Sequence, residues 1–189
     1  FNDDFILAAP VTPEDFFTSD GKVVCYGKKS NYLLTKLSRM IKYRKNGSKK
    51  VTFKETMLNA ATLLGIYSSF IKFYHIPRAL LKSVYKKYFD EHPQHLTKNI
   101  AHRFRHHTQY NPQELFYLLM DNEKRCELRS ANKNLMYLKP KDIGYIQKKL
   151  DRFTLSPETK FGCFNAIDLA CEEGQKRIIG WIEKRIGLK

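Results

Sequence analysis

Thr52-Phe53-Lys54-Glu55 opens the stretch on which the fold reading turns: residues 52–74 run TFKETMLNAATLLGIYSSFIKFY. A threonine followed three residues later by glutamate is a capping box, in which the two side chains satisfy free backbone N–H groups at a helix start. Beyond it the chain is apolar almost all round, with Met57, Leu58, Ala60, Ala61, Leu63, Leu64, Ile66, Tyr67, Phe70, Ile71 and Phe73. A helix apolar on most sides belongs at the centre of a core. The stretch therefore predicts one helix running to Tyr74. Its length approaches that of a membrane span, but Asn59, Ser68, Ser69 and Lys72 interrupt it and assign it to a core.

The same 3.6-residue period extends outward on both sides. Upstream, Leu33, Leu34, Leu37, Met40 and Ile41 form one apolar stripe, with Lys36, Arg39 and Lys42 opposite. Arg44 and Lys45 follow in the last turn, where cations complement the helix dipole, and Asn46-Gly47 stops the helix. Downstream, Pro77, Pro93, Pro112 and Pro140 each mark a helix start, where the missing N–H costs nothing. The segments they open carry inward sets such as Leu96, Ile100 and Phe104, or Ile143, Ile146, Leu150 and Phe153. Lys22–Tyr26 reads as a short strand or an extended connection, and no alternating strand run appears after residue 27. The expectation is an all-α fold, a compact multi-helix domain of about seven to nine helices.

Composition and charge narrow the classes. The 189 residues are 42% hydrophobic with only nine glycines and seven prolines, which excludes collagen-like, low-complexity and disordered chains. Lys and Arg total 34 against 19 acids, a formal net charge of +15. Residues 1–21 carry Asp3, Asp4, Glu14, Asp15 and Asp20 and no base. From Lys22 to Lys54 there are eleven bases and not one acid. Such a field attracts nucleic acid, anionic lipid or an acidic protein face, and the acidic leader is itself a candidate to mask it. The organisation expected is an acidic leader with a short helix (1–21), a basic core domain (22–160) and a C-terminal helix pair (161–189). Cys25, Cys126, Cys163 and Cys171 show no paired spacing, and no basic-then-apolar segment stands at the start. That leads to the expectation of reduced thiols and an intracellular, reducing location, in the chain's own cell or in a host cytosol.

The helix pair carries a family resemblance. Asn165-Ala166-Ile167-Asp168-Leu169-Ala170 echoes the ankyrin opening Thr-Pro-Leu-His-x-Ala, with Cys171-Glu172-Glu173-Gly174-Gln175 placed where a first helix ends at a glycine. Lys176–Arg185 would be the second helix, with Ile178, Ile179, Trp181 and Ile182 inward. Residues 164–189 thus resemble a single ankyrin repeat, departing from the family where proline and histidine give way to Ala166 and Asp168. The resemblance implies a protein-interaction role and no chemistry of its own. One such unit cannot bury its own face, and no second copy lies upstream. The richness in Lys, Asn, Tyr and Phe, with the lone ankyrin-like unit, also resembles effectors of intracellular bacteria such as Legionella.

Candidate chemistry is sparse. His95, His102 and His106 share one face of a continuous helix and form a pH-sensitive surface. His102 and His106 have the i, i+4 spacing of zinc ligands, but Arg103 and Arg105 between them repel a dication and the H-E-x-x-H pattern is absent. No phosphate-cradling glycine loop and no carboxylate pair is found, so no catalytic residue, metal or cofactor is assigned. The reading is a non-enzymatic interaction module that binds an acidic protein partner or anionic lipid headgroups. Its binding face comprises Lys36, Arg39, Lys42, Arg44, Lys45, Lys49 and Lys50. A nucleic-acid binder with Tyr26, Tyr32 and Tyr43 as stacking groups is the alternative. A Cys/His enzyme using Cys25 is a further one.

Overall fold

A backbone reversal at Gly65 overturns the single-helix reading of residues 52–74. The computed structural model describes residues 4–46, 52–131 and 134–188. The helix that starts at Phe53 stops at Leu63, where Gly65 takes the left-handed conformation at φ 68°. Ile66 N–H then donates to the Ala61 carbonyl at 2.9 Å and Gly65 N–H to the Thr62 carbonyl at 3.0 Å. These two bonds make a Schellman cap, which closes off carbonyls that a continuing helix would have used. Ser69–Phe73 goes on as a strand with Phe70, Ile71 and Phe73 buried.

The all-α expectation is therefore corrected to α/β. Among the described residues the strands are β1 (Phe5–Leu7), β2 (Val23–Asn31), β3 (Ser69–Phe73), β4 (Cys126–Arg129), β5 (Leu135–Leu138) and β6 (Phe161–Phe164). The helices are α1 (Tyr32–Asn46), α2 (Phe53–Leu63), α3 (Lys82–Glu91), α4 (Pro93–Ile100), α5 (Pro112–Asn122), α6 (Ile143–Thr154) and α7 (Glu172–Ile186). The strands escaped notice because most are too short to show a two-residue period. β6, Phe-Gly-Cys-Phe, is buried at all four positions and so does not alternate at all.

The chain divides into two units, one of residues 1–15, 74–78 and 130–189 and the other of residues 16–73 and 79–129. In the first, β6 is the central strand, antiparallel to β1 and parallel to β5. Parallel neighbours need a crossover, and α6 supplies it, capped by Asp142, which accepts from Tyr145 N–H at 2.9 Å. Ile146, Leu150 and Phe153 of α6 meet Ile178 and Trp181 of α7 in its core. A Cβ on Gly162 would lie 2.7 Å from Ile6 Cγ1 and 2.8 Å from Phe164 Cε2, so β6 admits only glycine there without rearrangement. Asp15, 7% exposed, receives the Lys160 ammonium at 2.7 Å within this unit, so that part of the acidic leader is already paired.

The expected C-terminal pair of helices is also corrected. Phe161–Phe164 is strand, Ile167–Leu169 is a single 3-10 turn, and Glu172–Ile186 is one α-helix. Ala166 stands at φ 53°, a left-handed conformation that an α-helix of L-residues does not sustain. Gly174 lies buried within α7 rather than in a turn, and its missing side chain lets Ile146 approach.

In the second unit β2 is central, antiparallel to β3 and parallel to β4. Its core is α5, whose Leu115, Phe116, Leu118 and Met120 are fully buried, packed on Met57, Ala60 and Ala61 of α2. Gly27 permits the close approach of β2 to β3, since a Cβ there would stand 2.9 Å from the Lys72 carbonyl oxygen. α4 ends at Ile100, earlier than its inward pattern predicts. Asn99 accepts Tyr110 N–H at 2.9 Å and donates to the Tyr110 carbonyl at 3.1 Å, folding residues 101–109 into a loop. Asn59 of α2 clamps that loop at the His107 and Gln109 carbonyls, both at 2.8 Å. Phe104, expected inward, is consequently 76% exposed.

Candidate interaction surface

Tyr32, Thr35, Arg39 and Tyr43 recur at three- and four-residue spacing along α1 and make a stripe of their own. This polar and aromatic stripe is the one that faces the protein. Asn31 caps the helix by accepting Leu34 N–H at 2.9 Å. Tyr32 is buried, and its hydroxyl meets Thr62 Oγ1 at 2.7 Å. Two turns on, Arg39 Nη2 donates to Glu55 Oε2 at 3.2 Å, the two side chains being 13% and 15% exposed. Arg39 also donates to the Tyr43 hydroxyl at 3.0 Å and lies over that ring. Contacts running from Tyr32–Thr62 to Arg39–Glu55 set α1 antiparallel to α2.

With that side anchored, the apolar stripe turns outward. Leu33, Leu34, Leu37, Met40 and Ile41 are between 49% and 67% exposed. Fully burying such a side chain contributes about 1.5–3 kcal/mol, so five left half-exposed forgo roughly 5 kcal/mol of available burial. A contiguous aliphatic ridge on one helix is the kind of patch that marks a contact surface.

The cations predicted for binding divide in two. Lys36, Lys42 and Arg44 are exposed on α1, whereas Arg39 is held by Glu55 and Tyr43. Lys45 belongs to α1, and Lys49 and Lys50 lie outside the described residues. Three further lysines, Lys28, Lys54 and Lys72, join them that sequence reasoning did not single out. The Lys54 ammonium is held below its usual range, chiefly by the charge of Lys72, then by burial and by Lys42 and Arg39. Lys28 stands directly across from Lys72 in the β2–β3 register, a like-charge pairing that destabilises unless an anion relieves it. No spacing rule links residues 28, 42, 54 and 72. The acid-free run to Lys54 was the one trace of this cluster in the sequence.

The histidine face does not assemble as predicted. His95 lies on α4 and bonds the Tyr88 hydroxyl through Nδ1 at 2.9 Å, with its pKa lowered by burial and by His92 and Lys98. His102 and His106 fall on the loop, stacked at 4.2 Å between ring centroids, with the Thr108 hydroxyl 3.2 Å from His102 Nε2 and 2.8 Å from His106 Nδ1. Burial and the neighbouring His107 and His102 lower the His106 pKa. Among the described residues no group of three His, Cys, Asp or Glu side chains is placed to hold a metal ion.

Two of the four thiols are shielded from solvent, Cys171 being exposed and Cys126 half-buried. Cys25 is buried in β2, and burial with the nearby Asp4 carboxylate pushes the Cys163 thiol up to about 12. No described helix is long and apolar enough to cross a membrane. No family model matches the chain, and no curated protein matches it.

Proposed function

We propose that the chain is a non-enzymatic, effector-like interaction module that docks α1 onto a negatively charged partner, an acidic protein or a layer of anionic lipid headgroups. One observation carries the reading: an exposed aliphatic stripe and exposed cations share a helix whose polar side is already used as an anchor. Apolar contact supplies affinity, and the cations steer and select. The reading includes a reducing intracellular setting, in keeping with four cysteines outside any disulfide. The nucleic-acid alternative loses its stacking groups, since Tyr26 and Tyr32 are buried and Tyr43 lies under Arg39.

The test is a recovery experiment from nuclease-treated eukaryotic lysate, analysing both protein and lipid. Wild type is compared with Lys36→Glu/Lys42→Glu and with Leu37→Ser/Met40→Ser, each checked for folding by circular dichroism. Loss of the recovered partner in both variants is expected. Unchanged recovery in both removes α1 from the function, and recovery only without nuclease transfers it to nucleic acid.

A further inference from the structure

Resting on that reading, we infer that the partner is the surface of an anionic lipid bilayer, on which α1 lies parallel to the membrane plane. Leu33, Leu37 and Met40 enter the acyl boundary, while Lys36, Lys42 and Arg44 meet lipid phosphates. A basic amphipathic helix with a wide aliphatic face is built for this interface. Its fifteen residues are too short to span, and no described helix is long and apolar enough to cross a membrane, so in this reading it lies on the surface.

Three features favour lipid over a protein groove or a second copy. The stripe holds only leucine, isoleucine and methionine, while Tyr32 and Tyr43, the ring anchors typical of protein hot spots, face inward. A fluid acyl phase accepts an aliphatic ridge without shape matching. α1 contains no acid, so two copies meeting along it would bring cations against cations. The cluster of Lys28, Lys42, Lys54 and Lys72 spans four elements, a spread suited to a field of headgroup phosphates rather than one carboxylate. Tyr67 adds an interfacial ring: it is 54% exposed and packs edge-on to Tyr32 at 5.5 Å, where α1 begins.

The full chain is floated with vesicles of phosphatidylcholine alone and with vesicles carrying about a third phosphatidylserine. Wild type is expected to float with the second and ignore the first. Leu37→Ser/Ile41→Ser and Lys42→Gln/Lys54→Gln, both folded by circular dichroism, are each expected to lose flotation by about tenfold or more. The Leu37→Trp protein should show a blue shift in added tryptophan emission with anionic vesicles only. Equal flotation with both vesicle types, or undiminished flotation of the leucine–isoleucine variant, overturns the inference. Retention on immobilised polyglutamate with no flotation overturns the lipid partner but keeps the docking reading, whereas failure on both supports overturns the two together.

Discussion

Glu55 sits three residues after Thr52, yet its carboxylate turns away from the helix start and accepts from Arg39 Nη2 at 3.2 Å. Thr52 makes no side-chain cap bond in return, so the capping box located the start of α2 without forming there. Spending that carboxylate on Arg39 neutralises one cation in a crowded basic region and fastens α1 by a charge-assisted bond. Glu55→Gln is expected to lower stability by about 1–2 kcal/mol, read as a lower urea midpoint with an unchanged m-value. An unchanged midpoint would mean that Tyr32 alone holds the helix. The start of the element was legible because caps are local. The partner of the cap residue was not, since Arg39 lies 16 residues away and only packing brings it near.

At the scale of elements, α1 illustrates how a pattern and its orientation come apart. Its extent, its apolar stripe and its basic residues were all legible in the spacing of residues 32–46. The side turned toward the protein was not. The period rule sends the apolar stripe inward, but Tyr32 and Arg39 find hydrogen-bonding partners in Thr62 and Glu55 of α2 and win the contact. Leu37→Ser/Ile41→Ser should therefore change unfolding free energy by less than about 0.5 kcal/mol, while Tyr32→Ala should cost about 3–5 kcal/mol. The reverse ranking in chemical denaturation would place the leucine stripe in the core. The strands failed for a different reason. Gly65 lies inside an apolar run, and β3 beyond it is buried at Phe70, Ile71 and Phe73, leaving no alternation to read.

Over the whole molecule, two cores form from a chain that crosses between units several times. The one tryptophan, Trp181, packs on Phe153 and Phe164 in the first unit, at 6.0 Å and 5.8 Å between ring centroids. Its emission therefore reports that unit, while far-UV circular dichroism reports both. The two probes are expected to give non-coincident urea transitions, and Ile178→Ala should destabilise the tryptophan-reported one by about 2–5 kcal/mol. Coincident curves that shift together would show one cooperative unit. Charge imbalance, helix period, the Asp142 cap and the Asn111 cap of α5, whose Oδ1 accepts Gln113 N–H at 2.9 Å, were set by residues a few positions apart, where backbone geometry and short-range hydrogen bonds act. The strand pairing, the outward turn of α1 and the meeting of lysines 28, 42, 54 and 72 were set by packing. Burial and charge proximity are relations between distant segments, and no local window of the chain contains them.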